Sequence, residues 1–270
     1  MSTVRDKLWL FASRAHDDDV WLGKSMNNRF TRWSRITPAE GALMLDVPNI
    51  IMINSDGIPV PYSAEAYGYA ESFSRMKNVV WSITGSGGFR VGNEEQFICD
   101  LAEKYPNISG AFADDFLGAG MPGNPEEKRE LILRSRRELD KACRKMEMWL
   151  TVYTRDLDKC DAELYGLFDC LSMWTWEYQN LKELPENFEK LEKKFPNQKK
   201  YIGVYILDYP SGEPVPTEYM ELQCEFALKM LREKRAEGII FLTNCVMGVG
   251  LPSDYWLRNW IDRVKNIELE

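Results

Sequence analysis

The stretch Ile108–Thr154, ISGAFADDFLGAGMPGNPEEKRELILRSRRELDKACRKMEMWLTVYT, decides the fold. It opens on a short apolar run, Ile108–Asp114. It closes on another, Met148–Thr154, rich in aromatic and β-branched residues. Such runs suit strands buried on both faces. Between them, Asn124-Pro-Glu-Glu127 is a helix start, with a capping residue, proline at the first helical position and acidic residues in the first turn. The helix is expected over roughly Pro125–Met146, with Leu131, Leu139 and Met146 among its apolar positions. Two strands joined through a helix form a parallel pair with a right-handed crossover.

The same unit repeats along the chain. Strand-like runs are expected at Leu8–Ser13, Asn49–Asn54, Val79–Thr84, Leu171–Glu177, Tyr201–Asp208 and Ile239–Asn244. Helical signals fill the gaps. Thr37-Pro-Ala-Glu40 is a capping box, and Asn93-Glu-Glu-Gln96 repeats its logic. Apolar stripes mark Tyr62–Arg75, Leu181–Phe195, Thr217–Glu237 and Ser253–Ile267, and Asp161–Phe168 is a short helix or an irregular turn. Eight strands alternating with about eight helices predict an α/β protein, a single (β/α)₈ TIM barrel covering residues 1–270 as one domain. An open dinucleotide-binding sheet would need a G-x-G-x-x-G turn, and Gly85-Ser-Gly87-Gly88 is not one.

Composition narrows the function classes. With 34 basic against 42 acidic residues, the net charge of −8 argues against nucleic-acid binding. No run of about 18 apolar residues predicts a membrane span. The N-terminus lacks a long apolar core of the signal-peptide kind, so a cytoplasmic location is expected unless a leader was removed. Six scattered cysteines form no C-x-x-C pair and read as reduced thiols. His16 is the single histidine, which excludes metal sites built from several. No metal or cofactor is expected. The run His16-Asp17-Asp18-Asp19 reads as a solvated acidic loop. The long connection from Arg14 to about Arg35 reads as functional or partner-facing.

In a (β/α)₈ barrel only the C-terminal strand ends form a cavity. Carboxylates terminate the fourth, sixth and seventh strands with aromatics beside them. Asp115, Glu177 and Asp208 are therefore the expected catalytic groups. A carboxylate pair is what glycoside hydrolysis uses, one protonating the leaving oxygen and the other attacking or activating water. Glu177, beside Trp176, is the expected proton donor. Asp115 is preferred over Asp114 because Ala111 and Ala113 share its face and leave room. Arg14, His16, Asn54, Trp81, Asp114, Tyr153, Trp176, Tyr205 and Asn244 are expected to bind substrate through ring faces and hydrogen bonds.

Three segments carry a resemblance: Gly110-Ala-Phe-Ala-Asp114-Asp115-Phe116, Trp174-Thr-Trp176-Glu177 and Gly203-Val-Tyr205-Ile-Leu-Asp208-Tyr209. Through them the chain resembles the broad superfamily of (β/α)₈ glycoside hydrolases over almost its whole length. The resemblance implies a carbohydrate substrate, with an acid/base after strand four and a nucleophile after strand seven, or a nucleophile after four and an acid after six. This chain carries Asp-Asp after strand four where those enzymes commonly have Asn-Glu. It also lacks the D-x-x-D-x-D-x-E pattern of chitinase-like barrels. Two other readings fit the same residues: a sugar-binding barrel without catalysis, and a lyase or isomerase whose Arg14 holds a substrate carboxylate.

Overall fold

A computed structural model describes residues 2–22, 33–117 and 123–269. It is a single (β/α)₈ barrel. The strands are β1 (Leu8–Ala12), β2 (Asn49–Met52), β3 (Asn78–Thr84), β4 (Ile108–Ala113), β5 (Glu147–Tyr153), β6 (Cys170–Trp174), β7 (Lys199–Tyr205) and β8 (Gly238–Leu242). All neighbours pair in parallel, and β8 pairs with both β7 and β1, which closes the sheet. Closure leaves no open strand edge.

The helices packed around it are α1 (Pro38–Leu45), α2 (Ala64–Ser72), α3 (Glu94–Lys104), α4 (Pro125–Leu139), α5 (Ala162–Tyr165), α6 (Leu184–Lys194), α7 (Thr217–Arg232) and α8 (Pro252–Val264). Two of the three expected caps form. The Thr37 and Glu40 side chains exchange hydrogen bonds with each other's backbone, as do those of Asn124 and Glu127. The third differs. The Asn93 side chain makes no cap bond; the Glu94 carboxylate instead accepts from the Val91 and Gly92 amides. Helix α4 stops at Leu139, short of the expected Met146. Asp140, Lys141 and Ala142 turn back on the helix end.

Aromatic rings fill the barrel. Phe11 on β1 meets Phe112 on β4 at 5.6 Å and Trp174 on β6 at 5.6 Å. Strands so far apart around the sheet can touch only through its interior. Trp149 and Tyr201 lie 4.1 Å apart one layer below. Large residues need small ones opposite. A Cβ on Gly203 would sit 2.1 Å from the Trp174 ring, and one on Gly110 would sit 3.1 Å from Trp149 Nε1. Each fully buried ring contributes about 1.5–3 kcal/mol relative to exposure.

The bottom of the barrel is tied by charge. Lys7 pairs with Glu237, Lys77 with Asp6 and Lys199 with Glu147, and the short strands Ser2–Thr3 and Glu268–Leu269 pair antiparallel beside them. The first connection, expected to be functional or partner-facing, includes residues 23–32, which lie outside the described residues. No described helix is long and apolar enough to cross a membrane.

Candidate active site

A cavity of about 290 Å³ opens at the C-terminal mouth of the barrel. Side chains from the ends of β1, β4, β5, β6 and β7 line it, together with Leu242 at the end of β8 and Thr243 after it. Among the lining residues are four carboxylates, Asp17, Asp18, Asp114 and Asp115, and seven aromatic rings, Phe11, Trp21, Tyr153, Trp174, Trp176, Tyr205 and Tyr209.

Strand alternation explains Asp114. Gly110, Phe112 and Asp114 share the inner face of β4, and the Phe112 ring marks that face. Ala111 and Ala113 lie on the opposite face, so the room they leave is on the helix side and not in the barrel. Asp114 is buried at 6% exposure, and the Thr151 hydroxyl donates to its Oδ1 at 2.8 Å. Burial raises its carboxyl well above the usual range, and the charge of Asp115 adds to the effect.

Asp115 reaches the cavity by a different route. Its backbone is left-handed, with φ of 47°, which turns the side chain back over the strand end. Both oxygens are then occupied. Tyr153 Oη donates to Oδ1 at 2.9 Å, and the Gly87 amide donates to Oδ2 at 2.9 Å. Tyr153 is expected at the site from sequence; the Gly87 contact comes from the glycine-rich loop after β3.

The acidic loop after β1 is not solvated as the sequence suggests. Asp17 pairs with Arg14 at 3.1 Å and its side chain is only 8% exposed. Asp18 projects into the cavity, where Tyr209 Oη donates to its Oδ2 at 2.8 Å. Burial pushes its carboxyl up to about 7; the Tyr209 hydrogen bond opposes that rise, and the neighbouring charges of Asp17 and Asp19 reinforce it. A one-turn helix, Asp19–Leu22, begins directly after Asp18 and brings Trp21 over the mouth.

The rings form one wall. Trp176 and Tyr209 stack with centroids 5.5 Å apart, and Trp21 packs edge-on against Tyr209 at 5.4 Å. Tyr153 and Tyr205 pack edge-on against Trp176. Aromatic rings lining a cavity suit the C–H face of a sugar ring. Burial raises the Tyr153, Tyr205 and Tyr209 hydroxyls well above their ordinary value, so they remain donors across the physiological range.

Several expected site residues lie elsewhere. Strand β6 ends at Trp174, so Glu177 falls past it, exposed at the start of a 3-10 turn and hydrogen-bonded to Asn180. Asp208 is buried away from the cavity. It belongs to a small hairpin, Leu207–Asp208 against Glu213–Pro214, and its carboxylate accepts from the Ser211 amide and hydroxyl and the Tyr178 amide. A turn-holding Asp is what the following Tyr-Pro-Ser-Gly sequence calls for. Trp81 faces the helical layer, against Phe73 and Phe97, with its N–H on Asn54. Asn54 therefore serves as an acceptor behind the strand and does not line the cavity.

Asn244 is a staple. Its Nδ2 donates to the carbonyls of Ser13 and Ile36, and its Oδ1 accepts from the Ser13 amide and the Thr243 hydroxyl. Arg14 is held by Asp17, and His16 sits exposed against Asp19, both off the cavity wall. The structure thus brings together Asp114, Asp115, Tyr153, Trp176 and Tyr205, and adds Asp18, Tyr209 and Trp21. Among the described residues, no group of three or more His, Cys, Asp or Glu is placed to hold a metal ion.

No protein-family description matches the chain, and no curated protein does. Solved structures do. A GH99 endo-α-mannosidase from Bacteroides thetaiotaomicron superposes with a TM-score of 0.59 at 11% identity, covering 96% of this chain and 97% of that one. A putative α-L-fucosidase from the same organism gives 0.58 at 9% identity, covering 99% and 96%. The GH113 β-mannanase AaManA from Alicyclobacillus acidocaldarius gives 0.51 at 12% identity, covering 98% of each. At such identities the likeness is one of fold: the chain has the (β/α)₈ architecture found in glycoside hydrolases.

Proposed function

We propose that this barrel hydrolyses a glycosidic bond in the cavity between Asp18 and Asp115. The observation that carries the reading is that these two acids, 97 positions apart in sequence and on loops after β1 and β4, line one cavity walled by aromatic rings. Asp18, with its carboxyl pushed up to about 7, keeps a proton to give near neutral pH. It protonates the leaving oxygen as the bond to the anomeric carbon breaks. Asp115, with both oxygens already accepting hydrogen bonds, acts as the carboxylate that meets the positive charge developing at that carbon. Water completes the product, and its released proton restores the acid. Asp114, buried beneath, holds Thr151 and fixes the strand end.

Fold likeness to glycoside hydrolases supports a carbohydrate substrate without identifying it. The test is a panel of aryl and disaccharide glycosides assayed with wild type and Asp115→Asn. Turnover by the wild type, falling by about 10²–10⁴ in the variant while sugar binding persists, is the expected result. Sugar bound by the wild type with no turnover on any substrate would assign a binding barrel instead.

A further inference from the structure

We infer that the sugar recognised by this cavity carries a positively charged amine. The inference rests on the carbohydrate reading above and adds the charge of its ligand. Four carboxylates line the cavity; Asp17 is paired with Arg14 behind the wall, which leaves Asp18, Asp114 and Asp115, and among the described lining residues there is no Lys, Arg or His. The described donors of the wall are largely spent on those acids. Tyr209 Oη goes to Asp18, Thr151 Oγ1 to Asp114, and Tyr153 Oη with the Gly87 amide to Asp115. Each carboxylate can accept about four hydrogen bonds, so a surplus of acceptors faces the ligand. A ligand rich in N–H and O–H donors fills that surplus, and an ammonium group brings three donors and the opposite charge.

Two further features point the same way. The rings of Trp176 and Tyr209 present stacked faces beside the acids, and aromatic faces attract cations. The outer side of this wall already holds one, since the Arg155 guanidinium lies 4.8 Å from the Tyr153 ring centre and 5.7 Å from that of Trp176. Burying Asp18 beside Asp17 and Asp19, and Asp114 beside Asp115, costs desolvation first and like-charge repulsion second, as the raised carboxyls of Asp18 and Asp114 record; a bound cation offsets both. The chain's net charge of −8 also favours approach of a cation from solution.

The test measures binding to the intact protein by calorimetry at about pH 7, where a sugar amine is still largely protonated and Asp18 is partly ionised. The probes are glucosamine and galactosamine, their N-acetyl forms, the neutral parents, and glucuronate. The expected result is amines binding roughly tenfold or more tighter than the neutral parents, with N-acetylation removing the gain. Raised salt should shrink it, and Asp115→Asn should reduce it. Neutral or N-acetyl sugars binding as tightly as the amines would overturn the inference and leave glycoside hydrolysis standing. No binding or cleavage of any sugar, whatever its charge, would overturn both.

Discussion

Tyr209 Oη donates to Asp18 Oδ2 at 2.8 Å and joins the loop after β1 to the segment after β7, two positions 191 residues apart. The bond holds the charged form of Asp18 and so opposes the rise that burial imposes. Tyr209→Phe removes that opposition. The basic limb of the kcat/KM profile, which follows loss of the Asp18 proton near pH 7, should then move to higher pH. A limb that stays in place or moves down would show that Tyr209 does not tune this acid.

Asp18 also makes stability depend on pH. Its folded value, about 7, lies above the ordinary 3.8, so the folded state holds a proton that the unfolded chain gives up. That contribution is complete below the unfolded value and is lost as pH rises through about 7. Asp18→Asn should therefore melt higher than wild type at pH 8, with the difference shrinking toward pH 4. Melting curves across that range check it; a difference that grows on acidification would contradict the assignment.

Asn244 makes four hydrogen bonds at the barrel mouth, with two carbonyls, an amide and a hydroxyl as partners. Asn244→Ala leaves those groups buried and unpaired. The expected loss is about 2–4 kcal/mol of unfolding free energy, read from denaturant titration. A loss below about 0.5 kcal/mol, the range of an ordinary surface substitution, would mean the staple is replaceable.

Gly203 faces the Trp174 ring, where a Cβ would sit 2.1 Å away. Gly203→Ala must displace the ring, and because Trp174 lines the cavity, packing and site move together. Destabilisation of about 1–3 kcal/mol is expected, with weaker ligand binding. Unchanged melting would place the ring elsewhere.

Glu177→Gln separates the structure from the sequence reading. Glu177 is exposed and bonded only to Asn180 among the described contacts, so turnover should stay within about twofold of wild type, as for a substitution away from the chemistry. A loss of the size expected for Asp115→Asn would restore it as the acid.

The fold was legible because eight apolar runs and their helix signals fall in strict alternation, and a closed parallel sheet is what that order builds. At the site, legibility stopped where strand ends depart from regular geometry. Asp115 reaches the cavity through a left-handed backbone that no side-chain pattern announces. The apolar runs place Glu177 and Asp208 at strand ends, yet β6 stops at Trp174 and the chain after β7 folds into a hairpin. Asp18 was hidden by composition. Three consecutive aspartates read as a solvated loop, but Tyr209, from far along the chain, hydrogen-bonds Asp18, and Arg14 pairs with Asp17. Asn244 and Trp81 are polar or aromatic for packing reasons, and nothing local distinguishes that use from contact with a ligand.

A crystal structure of Asp115→Asn with a bound sugar tests the central claim most directly. The account predicts a sugar ring against Trp176 and Tyr209, with its anomeric carbon between the side chains at 18 and 115 and the leaving oxygen within hydrogen-bond reach of Asp18. A sugar bound outside the barrel mouth, or one whose anomeric carbon lies beyond the reach of both side chains, would contradict it.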